Sequence, residues 1–548
     1  MRAITLRPWQ RDALEVFRAR RSPDFLAVAC PGAGKTTLAL AALRQDLRTE
    51  RRPIVVVVPT QHLKQQWAQA AARFGLHLEA DWQWRMGLPA DMHGVIVTYS
   101  QASTSAKSLA RLAHGGIAVL DEVHHAASER SWGDGVRSAV GAADCRLLLS
   151  GTPFRTDDNP IPFVTYSLGD YGDAVADYSY GYGDALADGG VVRPVFFPRF
   201  DGHMEWRSSD GEEMGASFDE DLRRDQWGAR LRTALSPDGD WLPAVLAKAN
   251  ERLVDIRRTH AGAGGLVITI DQEHARAVVK MLKRDHKINA RVALSDDPKA
   301  SAVIAKFAQS DDPWIVAVRM ISEGVDIPRL RVGVLATTTA TALFFRQAVG
   351  RIARWTPGLR SQKAYFFLPD DPRVRSHALA LAQERRHSIE ARRRLDEEAG
   401  SGRSSHERGD EQLSLFEARS STVVGGSSLE GSPAMPPDGI DPHEDLEFGL
   451  DAFAGFDVVL PPPPPLPGRQ PDPLGALSEM RTRESQKRDL RDFNSVRVTE
   501  LARLTGWDHA RINGELNKRS GIRSIAEATV AQLEKRLREA DRWITRGR

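Results

Sequence analysis

A glycine-rich segment, Ala29–Thr37, carries residue types at a spacing that suits phosphate chemistry. It follows an apolar run typical of a buried strand and precedes a stretch of helical composition. A loop in that position points successive backbone N–H groups at phosphate oxygens, and the helix N-terminus adds a partial positive charge. Lys35 would reach the β- and γ-phosphates of a nucleoside triphosphate, and the Thr36 hydroxyl would ligate Mg²⁺. The residues predicted to contact the nucleotide are Pro31, Gly32, Ala33, Gly34, Lys35, Thr36 and Thr37.

Two adjacent carboxylates, Asp121 and Glu122, follow the apolar run that begins at Gly116. In that position one carboxylate can hold Mg²⁺, and its neighbour can align and deprotonate an attacking water. Asp121 suits the first role and Glu122 the second. An acidic pair that ends a strand is weak evidence alone, because acids often end strands to face solvent. Together with the glycine-rich loop upstream, it predicts hydrolysis of a nucleoside triphosphate.

Two series of short apolar runs must position these residues. The first contains five runs: Phe25–Cys30, Ile54–Pro59, Gly94–Ser100, Gly116–Glu122 and Cys145–Thr152. The second also contains five: Gly264–Ile270, Ile288–Leu294, Trp314–Met320, Val332–Thr337 and Lys363–Pro369. Helix-length segments separate the runs, which is typical of parallel sheets covered by helices on both faces. The sequence therefore predicts an α/β protein with two such domains in tandem.

The ordered set of motifs across Leu6–Arg354 resembles that of the superfamily 2 helicases. LRPWQ at Leu6–Gln10 is similar to the family's adenine-recognition segment, which implies that Gln10 reads the base. PTQHLKQQW and VTYSQ are similar to its strand-contacting motifs, which implies nucleic-acid contacts from Pro59, Thr60 and Thr98. The resemblance implies two RecA-like domains that hydrolyse ATP with Mg²⁺ bound by Thr36 and Asp121.

The second half of the motif set resembles the family's coupling segments. SGTPFR at Ser150–Arg155 is similar to the motif that links hydrolysis to domain movement. RMISEGVDIP at Arg319–Pro328 is similar to the motif that contacts both the nucleotide and the nucleic acid. The resemblance implies that Ser322 contacts nucleic acid and that Gly324 and Asp326 contact the nucleotide.

FRQAVGRIAR at Phe345–Arg354 resembles the motif that supplies arginines to the transferring phosphoryl group. Negative charge builds on that group, and an arginine aimed at it can accelerate the reaction by about 10³–10⁵. Arg351 and Arg354 are three residues apart, so a helix would place them on one face. Gln347 completes the motif.

The branch resemblance is to the XPB-type, RadD-type and restriction-motor helicases, which mostly act on DNA. DEVHH at Asp121–His125 differs from the DEAD sequence of the RNA helicases that carry that motif. We therefore expect an ATP-dependent DNA helicase or translocase acting in repair, recombination or replication. RNA remodelling by the same core is the first alternative. An adaptor tethered to the sliding clamp, with ATP gating its attachment, is the second.

Domain boundaries follow from composition. We predict an ATP-binding domain over residues 1–190, an intervening segment over 191–254 and a second RecA-like domain over 255–399. Residues 401–460 contain 12 Asp or Glu and 3 Lys or Arg, and a proline run follows, which predicts a disordered linker over 400–475. From residue 481 to the end there are 17 basic and 10 acidic residues in segments of helical composition. We therefore predict a helical accessory domain over 476–548.

Two segments outside the motor motifs suggest partners. Gln412, Leu413, Leu415 and Phe416 resemble the short peptide by which bacterial proteins dock on the DNA polymerase sliding clamp, and a flexible tether suits capture of such a peptide by a groove. TELARLTGW at Thr499–Trp507 resembles the first half of a helix-turn-helix, so the C-terminal domain is predicted either to contact DNA phosphates or to dock on the motor as a helical cap.

Composition sets the remaining expectations. The 75 basic and 73 acidic residues give a net charge of +2, so the total charge indicates no partner. Two cysteines, Cys30 and Cys145, are too few for a disulfide framework or for the cysteine-ligated zinc segment of RadD-like proteins. No apolar stretch approaches the length of a membrane span, which leads us to expect a cytoplasmic protein. The sequence does not indicate the oligomeric state.

Overall fold

The computed structural model describes residues 4–47, 52–127, 130–151, 160–167, 174–207, 213–294, 300–318, 327–359, 362–399, 456–458 and 482–546. The chain divides into two compact units. Unit 1 comprises Met1–Val28, Gly34–Ser179 and Gly455–Arg548, and unit 2 comprises Ala29–Ala33 and Tyr180–Ala454.

Unit 1 is built on a seven-stranded sheet. A short strand, β1 (Ile4–Leu6), precedes this sheet and is not part of it. The sheet contains β2 (Asp24–Ala29), β3 (Ile54–Val58), β4 (Leu78–Glu79), β5 (Gly94–Thr98), β6 (Ile117–Leu120), β7 (Cys145–Ser150) and β8 (Tyr178–Tyr180). The order is β4-β5-β3-β6-β7-β2-β8, and the pairs from β4 through to β2 are parallel. Strand β3 is buried at every position and lies in the interior of the sheet, between β5 and β6.

Helices connect the strands of this sheet. They are α1 (Pro8–Ala19), α2 (Lys35–Asp46), α3 (Gln61–Arg73), α4 (Tyr99–Thr104), α5 (Ala106–Ala113) and α6 (Arg130–Val140), with a 3₁₀ turn over Val123–Ala127. Helices α2 and α3 each begin within a few residues of a strand's carboxyl end. In a parallel sheet this is the edge at which ligands bind.

Unit 2 contains a second sheet with the same character. Its strands are β9 (Val195–Phe196), β10 (Arg199–Phe200), β13 (Gly264–Thr269), β14 (Arg291–Ala293), β15 (Trp314–Val318), β16 (Leu330–Ala336) and β17 (Ala364–Pro369), and a separate hairpin pairs β11 (His203–Arg207) with β12 (Glu213–Ser217). The main path runs β10-β17-β16-β13-β15-β14, with β9 also on β17, and every pair is parallel. The helices are α7 (Tyr182–Asp188), α8 (Arg224–Ala234), α9 (Trp241–Thr259), α10 (Gln272–His286), α11 (Ala300–Gln309), α12 (Ala342–Ile352) and α13 (Pro372–Ala399).

The end of the chain belongs to unit 1. Strand β18 (Phe456–Val458) pairs antiparallel with β1, although it lies in the stretch for which composition predicts a disordered linker. Helices α14 (Arg483–Thr505), α15 (His509–Ser520) and α16 (Val530–Arg546) then form a small bundle. Their shared core contains Val498, Leu501, Ile512, Leu516, Ala540 and Ile544.

The structure confirms the predicted α/β class, with two parallel-sheet domains followed by a helical C-terminal segment. All ten apolar runs contain a strand. Within the part of the chain that the structure describes, no helix is long and apolar enough to cross a membrane.

Candidate functional site: a nucleotide-binding centre

The glycine-rich loop has the backbone that a phosphate cradle needs. Gly32 and Gly34 have φ values of +87° and +99°, in the left-handed region that favours glycine. Gly34 is also the N-cap of α2, so the first N–H groups of a twelve-residue helix follow it directly. A Cβ on Gly34 would lie 2.7 Å from Nε2 of Gln10 and would crowd the cradle. These observations fit a bound triphosphate held at the start of α2.

Gln10 lies against this loop. Its side chain is buried, Nε2 donates to the carbonyl of Gly34 at 2.9 Å, and Oε1 accepts from the Arg7 N–H at 2.9 Å. The LRPWQ segment is therefore tied directly to the glycine-rich loop. Recognition of adenine by Gln10 stays a prediction.

Lys35 and Glu122 form the centre of the site. The Lys35 Nζ lies 3.3 Å from the Glu122 Oε1, and Glu122 has a left-handed φ of +50° that is uncommon outside glycine. The other carboxylate oxygen, Oε2, accepts a hydrogen bond from the Gly151 N–H at 3.1 Å. One carboxylate thus contacts both the glycine-rich loop lysine and the SGTPFR segment.

The two acids have opposite electrostatic environments. Burial and the neighbouring Glu122 charge raise the pKa of Asp121, and the Trp67 hydrogen bond and Lys35 offset this only in part. Burial also acts to raise the pKa of Glu122, but Lys35, His124 and the Gly151 N–H outweigh it and lower that pKa. Glu122 is therefore ionised at neutral pH, whereas Asp121 binds a proton more readily than an ordinary aspartate. Such a split between neighbouring carboxyls is typical of sites that assign them different roles.

Two aromatic residues that sequence reasoning missed hold Asp121. The Trp67 indole Nε1 donates to the Asp121 Oδ2 at 2.8 Å, and the Tyr99 hydroxyl donates to the Asp121 carbonyl at 2.9 Å. Both side chains are buried. The sequence contained one usable signal, because a buried Trp or Tyr usually finds a hydrogen-bond partner and both lie in motifs that flank the site.

A second link joins the acidic motif to the SGTPFR segment. The His124 Nδ1 lies 3.3 Å from the Ser150 Oγ and 3.7 Å from the Glu122 Oε2. His124 is buried beside the end of β7. The end of β6 and the end of β7 are therefore connected by two side-chain contacts, at Glu122 and at His124.

The residues predicted to contact a nucleic-acid strand begin helices. Thr60 is the N-cap of α3, where its hydroxyl accepts from the Leu63 N–H, and Thr98 caps α4 by accepting from the Gln101 N–H. Lys64 of α3 donates to the Gln101 side chain at 3.1 Å, so the two helix starts are linked. Pro59 directly precedes Thr60. The threonines thus have a capping role in the described structure, and their contact with nucleic acid stays a prediction.

The arginine motif differs in one respect from the sequence-based expectation. Gln347 and Arg351 lie in α12, but this helix ends at Ile352, so Arg354 lies beyond it and does not share a helical face with Arg351. Instead, Arg354 forms an isolated β-bridge with Val192. Within unit 2, a Cβ on Gly350 would lie 2.5 Å from the Pro31 Cβ, and one on Gly32 would lie 3.3 Å from the Arg354 Cγ. The C-terminal half of the arginine motif therefore lies against the glycine-rich loop segment Ala29–Ala33.

Several predicted residues lie outside the described residues. They are Ser322, Gly324 and Asp326 of the RMISEGVDIP segment and Gln412, Leu413, Leu415 and Phe416 of the clamp-like peptide. Their roles stay predictions.

A divalent ion would be held by few protein ligands. The described residues contain no group of three or more His, Cys, Asp or Glu side chains placed to bind a metal. Mg²⁺ commonly needs only one or two protein ligands beside phosphates and waters, so Thr36 and Asp121 fit this ion.

Comparisons with known proteins agree with the motif pattern. Residues 3–155 match the family described as type III restriction enzyme, res subunit, and residues 248–356 match the helicase conserved C-terminal domain. A protein of Mycobacterium tuberculosis (strain CDC 1551 / Oshkosh), named as uncharacterized, is 39% identical over 97% of this chain and 92% of its own length.

More distant matches cover the motor region. The DNA 3'-5' translocase XPB2 of Sulfurisphaera tokodaii is 25% identical over 64% of this chain and 79% of that protein. The ATP-dependent restriction-modification enzyme LlaBIII, solved bound to DNA, is 15% identical with a TM-score of 0.45, over 67% of this chain and 28% of that chain.

Proposed function

Since this chain belongs to the superfamily 2 helicases, of the type that includes restriction-enzyme motors and XPB-like proteins, we propose that it couples ATP hydrolysis to movement on DNA or to its remodelling. Members of this superfamily are ATP-hydrolysing enzymes that act on nucleic acid. One observation carries the proposal for this chain. Glu122 contacts both Lys35 and Gly151, so the acidic motif, the glycine-rich loop and the SGTPFR segment meet at one carboxylate.

The Lys35–Glu122 contact suggests how nucleotide binding prepares the base. Lys35 lowers the pKa of Glu122 and so makes it a weak proton acceptor. When Lys35 turns to the phosphates of ATP, Glu122 loses this partner and gains negative charge nearby. Both changes raise its pKa, because like charges disfavour ionisation. Glu122 then becomes better able to accept a proton from the attacking water.

Mg²⁺ belongs to the same proposal. It would be bound by the Thr36 hydroxyl and Asp121 and would neutralise charge that develops on the phosphates. Arg351 and Arg354 would supply further positive charge. The position of Gly350 and Arg354 against Pro31 and Gly32 supports this role.

DNA is proposed as the substrate for two reasons. The matched family is that of a restriction-enzyme motor subunit, and a relative with 25% identity is named as a DNA translocase. The test is ATPase activity on a panel of single-stranded, duplex and forked DNA and single-stranded and duplex RNA. We expect DNA to stimulate hydrolysis more than tenfold and RNA to have little effect. Stimulation by RNA alone would refute the DNA proposal and favour the RNA-remodelling alternative.

A sliding-clamp contact through Gln412–Phe416 is a separate proposal, supported by the sequence resemblance and by the position of this peptide in an acidic, low-complexity stretch. We expect purified clamp to bind the full chain and not a Leu415→Ala/Phe416→Ala variant. Equal binding by both would remove this proposal. Clamp binding without any ATP turnover would favour the adaptor alternative.

A further inference from the structure

Two helices of the C-terminal bundle are joined by a short turn of the length found in helix-turn-helix motifs. Helix α14 ends at Thr505 and α15 begins at His509, so three residues, Gly506–Asp508, form the turn. Gly506 adopts a left-handed φ of +69°, which ends the first helix sharply. A turn of three or four residues that contains glycine is typical of this motif, whose second helix contacts DNA.

The basic residues at the start of α14 and those on α15 have different surroundings. Those at the start of α14 are used inside unit 1. Arg483 donates to the carbonyl of Asp91, Lys487 pairs with Asp91 and Glu79, Arg488 with Asp81, and Arg491 with Glu79. This face of the bundle is docked on the segment around β4, as expected for a helical cap. It is not available to another partner.

The outer face of α15 is different. Arg511, Gly514 and Lys518 are exposed and follow each other at three- and four-residue spacing, whereas Ile512 and Leu516 are buried on the opposite side. In the part of the chain that the structure describes, neither Arg511 nor Lys518 has an acidic partner within 4 Å. Arg511 instead stacks on Trp507, with 3.8 Å from its guanidinium carbon to the ring centroid. Glu515 lies on the same side of the helix between these two residues, but it pairs with Arg519 at 3.0 Å. Arg511 and Lys518 therefore leave this face with positive charge that suits an anionic partner outside the bundle.

Gly514 adds evidence about the shape of that partner. It lies in the interior of α15, where glycine is destabilising relative to alanine. Apart from its chain neighbours and the backbone of its own helix, no atom lies within 4 Å of the place that its Cβ would occupy, so packing within the protein does not require a glycine here. A missing side chain between two cations allows close approach of an anionic surface to the helix backbone. The major groove of DNA admits an α-helix in this way.

A buried network fixes the orientation of this face. The guanidinium of Arg536 in α16 is fully buried and donates to the side-chain oxygens of Asn494, Asn513 and Asn517. These residues belong to all three helices of the bundle. Helix α15 is therefore hydrogen-bonded through Arg536 to both other helices, which sets the direction of its outer face.

We propose that the Arg511–Gly514–Lys518 face of α15 binds duplex DNA, with Arg511 and Lys518 contacting phosphates on either side of a close approach at Gly514. This inference rests on the proposed function, because it gives the DNA motor a second contact with its substrate. It adds a docked accessory site to the strand contacts expected at Thr60 and Thr98.

The test compares DNA affinity of the full chain and two variants. Each lost phosphate contact lowers the slope of log affinity against log salt by about 0.9. Arg511→Gln/Lys518→Gln should therefore weaken duplex binding at least tenfold and reduce that slope by about 2. The matched control is Lys535→Gln/Arg542→Gln, which removes the same charges at the same spacing from exposed positions of α16. It should leave both quantities nearly unchanged, and equal weakening by the two pairs would overturn the proposal.

Gly514→Gln provides a readout independent of charge. It should leave the melting temperature equal or higher, because glutamine is the better helix former, yet weaken duplex binding several-fold. Unchanged binding by both Gly514→Gln and Arg511→Gln/Lys518→Gln would overturn this inference alone, provided that DNA still stimulates the wild-type ATPase. If no DNA stimulates the ATPase, the proposed function fails instead.

Discussion

Asp121 is held by Trp67 and Tyr99, and this has a functional consequence because Trp67 lies in α3. The same helix begins at Thr60, the predicted strand-contact residue. A shift of α3 on binding nucleic acid would therefore act directly on the carboxylate predicted to hold Mg²⁺. Contact alone does not establish coupling between two sites, so a variant has to show it.

Trp67→Phe removes the indole N–H and keeps an aromatic ring in the core. We expect the ATPase rate at saturating DNA to fall about tenfold and the Mg²⁺ concentration for half-maximal activity to rise. The melting temperature should also fall, because the smaller ring leaves a void in the core. Trp84→Phe is the matched control, since Trp84 is 56% exposed. Wild-type Mg²⁺ dependence in the Trp67 variant would contradict a role for this hydrogen bond.

The raised pKa of Asp121 predicts a pH effect on Mg²⁺ binding. A carboxyl whose pKa is raised takes up a proton at higher pH than usual, and the proton competes with the metal. We expect the Mg²⁺ requirement of the ATPase to increase between pH 7.5 and pH 5.5. Glu122, with its lowered pKa, stays ionised over this range. Titrating Mg²⁺ at three pH values measures the effect, and a constant requirement would be inconsistent with it.

At the level of helices and strands, the sequence predicted the two sheets well because their strands are buried runs of Val, Ile and Leu. The strand cores found at Ile54–Val58 and Trp314–Val318 lie within the predicted runs. Strands β4 and β18, of two and three residues, were not predicted, since so few residues carry no periodic signal. Lys35, Asp121 and Glu122 were predicted by motif, whereas Trp67 was not, because its partner lies 54 residues away in sequence.

The packing of α14 on β4 predicts that Lys487→Met lowers the free energy of unfolding much more than Arg497→Met does. Lys487 is fully buried between Glu79 and Asp91, and removing one partner of a buried ion pair costs about 3 kcal/mol or more. Lys487→Met should therefore lower the free energy of unfolding of unit 1 by about 3 kcal/mol. Arg497→Met, which breaks only exposed pairs with Glu500 and Asp541, should cost less than about 1 kcal/mol. Denaturant unfolding distinguishes the two, and similar losses would contradict the assigned burial.

Another buried cation connects segments of unit 2. The Arg193 guanidinium donates to the carbonyls of Pro328 and Leu330 and to the Thr356 hydroxyl, and its backbone N–H donates to the Ala353 carbonyl. It therefore ties the C-terminal ends of the RMISEGVDIP and arginine motifs to the segment that contains Val192. Arg193→Met leaves buried acceptors without a donor, and each costs about 1–3 kcal/mol. We expect a lower melting temperature for this variant and no change for the exposed Arg207→Met, as measured by thermal unfolding. An unchanged Arg193→Met protein would contradict this role.

Across the whole molecule, the chain returns to unit 1 after unit 2 is complete. Strand β18 pairs with β1, and α14 docks beside β4, so the C-terminal bundle is part of the unit that contains Lys35, Asp121 and Glu122. A DNA contact at α15 would therefore move with the nucleotide-binding unit. Docking of the helical segment therefore keeps the proposed DNA contact in the same unit as the nucleotide-binding residues.

The most direct measurement of the central claim is the rate of ATP hydrolysis with and without duplex DNA, for the wild type and Glu122→Gln. Glutamine keeps the shape of the side chain but removes the proton acceptor. We predict DNA-stimulated turnover in the wild type and a loss of at least 100-fold in the variant, about the size of one general-base contribution, with nucleotide binding retained. Turnover that is indifferent to DNA, or equal in the two proteins, would contradict the assignment of a DNA motor with Glu122 as its base.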